Sequence, residues 1–121
     1  MKIDRFEDID AWKEARFLVK EIYGAFSGSN DYGFKDQMQR AALSIMSNIA
    51  EGFDRGSNKE FIQFLTVARG SVSEVKSLAY AALDIGYVDK NTFNNLSEQC
   101  LKLSSLINGF IRYLRVSDRK R

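Results

Sequence analysis

No proline interrupts this chain of 121 residues, and its apolar side chains recur in steps of three and four through four long runs. Proline would end or kink a helix, whereas three-and-four spacing lines apolar groups along one helical face. The first run sets Ile9, Trp12, Ala15, Val19, Ile22, Tyr23 and Phe26 on one side, with Asp8 as its candidate N-cap, and closes at the glycine- and serine-bearing GAFSGSNDYG. The second extends from about Phe34 to Arg55, with a stripe of Phe34, Met38, Ala41, Ile45, Ile49 and Gly52, and stops at Asp54-Arg55-Gly56.

Ser57 opens the third run with Glu60 three residues on, a capping-box arrangement that can satisfy two orphaned amides. Its stripe of Phe61, Phe64, Leu65, Ala68, Val72, Val75 and Ala79 continues to about Leu83, short of Gly86. Asp89 is the candidate cap of the fourth, where Phe93, Leu96, Cys100, Leu103, Ile107, Phe110 and Leu114 form a heptad seam. Four amphipathic helices joined by short turns predict an all-α, up-down-up-down antiparallel four-helix bundle, one domain over 1–121 with a short basic tail from about 116 to 121.

The composition removes most chemistry. A di-iron site in a bundle core needs Glu-x-x-His pairs, and the chain has no histidine. Its one cysteine, Cys100, falls on the heptad seam, so the usual serine and cysteine triads are missing and the thiol reads as a small core residue. Glycines stand singly or at helix ends and form no phosphate loop. No catalytic residue, metal ligand or cofactor is expected, and the chain reads as non-enzymatic. The opening MKIDRFEDID has no apolar leader core, and no run approaches the roughly 18 apolar residues of a membrane span. The expected address is the cytoplasm, with no membrane contact.

Beside its core stripe, the second run carries Leu43, Met46, Ala50 and Phe53 at i, i+3, i+7 and i+10. A helix apolar on two faces is buried on two faces. With Phe17 on the first run and Ile62 and Tyr80 on the third, Leu43, Met46 and Phe53 make a candidate subunit interface. Folding the second and third runs about Gly56 is expected to set Ser44 opposite Ala68 and Ala41 opposite Ser71, with Asn48 hydrogen-bonded along or across the seam.

The formal charge is +2, with residues 112–121 holding five basic groups and one acidic group. In an up-down-up-down bundle the N-terminus, the turn between the second and third helices, and the C-terminus share one end. The candidate nucleic-acid-binding residues gathered there are Arg5, Arg55, Lys59, Arg112, Arg115, Arg119, Lys120 and Arg121, with Tyr113 as a possible base-stacking side chain. Asp4, Glu7, Asp8, Glu51, Asp54 and Glu60 stand at the same end.

The stretch from Gln37 to Val75 carries Gln-x-x-Arg-Ala-x-x-Ser-Ile-x-x-Asn-Ile-Ala-Glu-Gly at Gln37, Arg40, Ala41, Ser44, Ile45, Asn48, Ile49, Ala50, Glu51 and Gly52, followed by Phe61, Phe64, Leu65, Ala68, Gly70 and Ser71. It resembles the four-helix-bundle proteins encoded in intervening sequences of bacterial 23S ribosomal RNA genes, and more distantly the accessory variability proteins of diversity-generating retroelements. Phe6, Ile9, Trp12 and Ala15 extend the likeness over essentially the whole chain. The resemblance implies a homo-oligomer, commonly a pentameric ring, with affinity for RNA or DNA and no catalytic residues. The retroelement relatives bind a reverse transcriptase. Two readings follow: a nucleic-acid-binding oligomer acting through its basic end, and a scaffold that docks a partner protein with no nucleic-acid role.

Overall fold

The computed structural model describes residues 3–117. A short 3-10 turn, Phe6–Asp8, leads into four helices: α1 (Asp10–Ala25), α2 (Tyr32–Phe53), α3 (Asn58–Ile85) and α4 (Lys90–Val116). Each packs on its chain neighbours and α4 closes back onto α1, with no close approach across either diagonal among the described residues. This is the expected up-down-up-down bundle, and no strand occurs among the described residues. No described helix is long and apolar enough to cross a membrane.

The core runs the length of the bundle. Leu18 and Ile22 from α1, Met38, Ile45 and Ile49 from α2, Phe61 and Leu65 from α3, and Leu103 and Ile107 from α4 are fully buried. Each such side chain contributes about 1.5–3 kcal/mol relative to exposure. On α1 the buried line passes through Ala11, Ala15, Leu18 and Ile22; Trp12 and Val19 stand half-buried at its margin and Tyr23 is exposed. The apolar stripe of α1 is wider than its core contact, and its outer edge spills toward solvent. On α4, Ile111 is buried where Phe110 was expected, and the Phe110 ring meets Phe61 edge-on at 5.1 Å.

Three of the four predicted helix starts carry a side-chain cap. The Asp31 carboxylate accepts from the Phe34 amide at 3.1 Å and starts α2 two residues before the expected Phe34. Ser57 Oγ accepts from the Glu60 amide at 3.2 Å, while the Glu60 carboxylate meets the Ser57 hydroxyl at 3.4 Å rather than its amide. Asp89 accepts from the Thr92 amide at 2.7 Å. Asp8 does not cap α1: it lies inside the 3-10 turn with its own amide bonded to the Arg5 carbonyl, and Ile9 occupies the N-cap without a side-chain bond. α3 runs two residues past Leu83 to Ile85, and Gly86 ends it with φ of 89°, the left-handed conformation glycine adopts without steric cost.

Candidate nucleic-acid interface

The signature stretch builds the seam between α2 and α3. Ser44 Oγ meets Ser71 Oγ at 3.0 Å, so the pairing is one helical turn away from the expected Ser44–Ala68 alignment. The helix ends at Phe53 and Asn58 flank Gly56, yet the Ser44–Ser71 pair is symmetric about Ser57 and Asn58, so α3 is displaced along α2 by about one turn. Asn48 donates to the Ser44 carbonyl at 2.8 Å and to its hydroxyl at 3.1 Å. Gly52 takes the closest approach, where an added Cβ would stand 2.7 Å from the Cβ of Phe64 and 2.8 Å from a ring carbon of Phe61. These serine, asparagine and glycine positions are therefore occupied in closing the seam.

The same hairpin positions Arg55. Its guanidinium donates to Glu51 at 2.9 Å and lies over the Phe64 ring at 4.6 Å, with Nε buried and unpartnered. An arginine held on both sides in this way is a platform more than a mobile phosphate contact. Arg5 is also tied down, 3.8 Å from Glu7 and 3.6 Å from Asp8. Lys59, Arg112 and Arg115 are exposed and form no ion pair among the described residues. Arg119, Lys120 and Arg121 lie outside the described residues. Tyr113 is half-buried, its ring 6.1 Å from that of Phe110, which is local packing.

Asn58, which sequence reading passed over, ties the start of α3 to the end of α4. Buried at the first position of α3, it donates through Nδ2 to the Ser117 carbonyl at 3.1 Å and the Leu114 carbonyl at 3.4 Å. These are carbonyls at the end of α4, which has no intrahelical partners for its last turn. Lys59 follows Asn58 in the first turn of α3, and Arg112 and Arg115 lie in the last turns of α4. Only the helix-capping tendency of asparagine could have flagged it, and here the capped helix is 56 residues away in sequence.

The candidate interface residues are distributed around the bundle. Phe17 is 48 % exposed on α1, Leu43 39 % on α2 and Tyr80 52 % on α3. Met46, Phe53 and Ile62 are partly buried against the protomer's own core, and the Phe53 ring lies 6.2 Å from Phe61. Cys100 is buried, and desolvation pushes its thiol up to about 11 despite Lys76 nearby, so it is protonated at neutral pH. No group of residues with metal-ligand chemistry occurs among the described residues.

At the far end, the turns α1–α2 and α3–α4 are clipped together by a Tyr87 hydroxyl donating to Asp31 at 2.6 Å. That bond, and then the Phe34 amide, hold the Asp31 carboxyl below its ordinary value, and the same bond raises the Tyr87 phenol. Near the opposite end a cavity of about 190 Å³ lies between the start of α1 and the end of α4, lined by Ile9, Ala11, Leu106, Gly109, Phe110 and Tyr113 among others.

No curated protein matches the chain. Among solved structures, a protein of unknown function from the S23 ribosomal protein family of Bacteroides thetaiotaomicron has the same fold, with a TM-score of 0.79 at 17% identity over 84% of this chain and 98% of that one. The family model described as 23S rRNA-intervening sequence protein matches residues 7–109, from the 3-10 turn to the last turns of α4. That span takes in the whole α2–α3 seam, and the chain belongs to the 23S rRNA-intervening sequence protein family.

Proposed function

We propose that this protein is a non-enzymatic, self-associating bundle that binds RNA electrostatically. The observation that carries the reading is that Lys59, Arg112 and Arg115 are exposed and without carboxylate partners among the described residues, on helix ends that Asn58 ties together. Unpaired surface cations release counterions from a phosphate backbone and give salt-sensitive, largely sequence-independent affinity. Membership of a family named for intervening sequences of 23S rRNA puts RNA first among polyanions. The exposed Phe17 and Leu43 support self-association, and the family resemblance supports a ring of five.

Retention of total cellular RNA on a filter, measured at low and high salt, tests the reading. Retention at low salt that disappears at high salt is expected; none at low salt contradicts RNA binding. In that event the exposed apolar groups favour the second reading, a scaffold that docks a partner protein.

A further inference from the structure

The charge on α3 is divided by face. Lys59, Arg69 and Lys76 belong to one row of three-and-four steps, Lys59, Ile62, Thr66, Arg69, Ser73, Lys76 and Tyr80, which contains no carboxylate. The row on the other side, Glu60, Phe64, Val67, Ser71 and Glu74, contains two carboxylates and no cation. Cross-helix contacts fix which neighbour each row faces. Ser71 meets Ser44 of α2, whereas Arg69 donates to Asn108 of α4 at 2.8 Å and the Tyr80 ring lies 4.7 Å from Phe93 of α4. The basic row therefore borders α4. Facing it, the α4 row Leu101, Ser105, Asn108, Arg112 and Arg115 adds two more cations and again no carboxylate. Glu98 precedes Leu101 by three residues on α4 and Asp84 follows Tyr80 by four on α3, so two carboxylates lie at the far end of this face.

We infer that the RNA contact is the long α3–α4 face rather than the end of the bundle, a single-stranded backbone lying along Lys59, Arg69, Lys76, Arg112 and Arg115 with an unpaired base on Tyr80; this rests on the RNA-binding reading above. The α3 cations span about 25 Å at the helical rise of 1.5 Å per residue. Arg69 is positioned by a neutral amide, so its charge is not cancelled by its partner. Between the cations lie serines and asparagine suited to phosphate and sugar contacts. Tyr80 is 52 % exposed and offers a π-face at the far end of the row, which a single strand can use and a closed duplex cannot. The α2-facing side, lined by Glu60 and Glu74, repels the same ligand.

Fluorescence anisotropy with a labelled oligouridine of about twelve nucleotides tests this, comparing Lys76→Glu/Arg112→Glu with Lys13→Glu/Lys20→Glu. Both pairs change the net charge equally, and the second pair lies on α1. Circular dichroism establishes that each pair is folded. The face predicts a loss of about tenfold or more for the α3–α4 pair, a change under about threefold for the α1 pair, and weaker binding by a duplex of the same length. Equal losses in both pairs, or an unaffected α3–α4 pair, overturn the assignment while leaving RNA binding intact. A parent that binds no oligonucleotide at low salt overturns the RNA reading itself. Tyr80→Ala is expected to weaken the single strand and leave the duplex unchanged; equal weakening of both overturns the stacking role.

Discussion

Gly52 and Phe64 are pressed together across the α2–α3 seam so closely that a Cβ at residue 52 would stand 2.7 Å from the Cβ of Phe64. Alanine is favoured over glycine by about 1 kcal/mol within a helix, yet here it would force the two backbones apart and disturb Phe61 as well. Overpacking of this kind costs about 1–3 kcal/mol. Gly52→Ala is therefore expected to lower the urea midpoint at constant slope, whereas Gly70→Ala, with open space around it, raises it. Chemical denaturation of the two variants checks the sign of each.

The Ser44–Ser71 bond at 3.0 Å is the polar rung of the same seam. Removing one hydroxyl leaves the other to find a new partner, while removing both leaves a small apolar contact. A double-mutant cycle with Ser44→Ala and Ser71→Ala should give a coupling energy of about 0.5–1.5 kcal/mol. Additive effects would place the two hydroxyls in independent roles.

Asn58→Ala removes the bonds that tie the end of α4 to the start of α3. A destabilisation of about 1 kcal/mol is expected, together with faster hydrogen exchange confined to the last turn of α4. Uniformly faster exchange would contradict a local clamp.

The turn-end carboxylates set an acid limit. Asp31 is held below its ordinary value by the Tyr87 hydroxyl and the Phe34 amide, and Asp89 by the Thr92 amide and hydroxyl. A depressed folded-state carboxyl contributes stability that is complete above its unfolded value and lost as pH falls through the folded one. The thermal midpoint should therefore drop below about pH 4, and less steeply in Asp31→Asn/Asp89→Asn. Tyr87 is raised, so its contribution is present below its unfolded value and disappears as pH rises above about 10.

The bundle is legible in the chain because burial follows apolar period, and because Ser57 and Asp89 act within one turn of their own residue, while sequence reading passes over the Asp31 cap and sets the start of α2 two residues late. Asp8 misleads because a 3-10 turn takes up its amide before α1 begins. The Ser44–Ser71 register is a displacement of one helix along another, which the apolar period within each helix does not fix. Asn58 works between distant chain segments and carries no local signal. A count of charges by bundle end gathers Arg5 and Arg55, which their carboxylate neighbours occupy, and overlooks Arg69 and Lys76, whose common position on the α4-facing row emerges only when each row of α3 is assigned a neighbour.

The salt dependence of oligouridine affinity tests the central claim most directly. A single strand loses about 0.7 in the slope of log K against log salt for each phosphate neutralised. Engagement of three to five cations on the α3–α4 face predicts a straight line with a slope between about −2 and −3.5. A slope near zero, or no binding at the lowest salt, would contradict it.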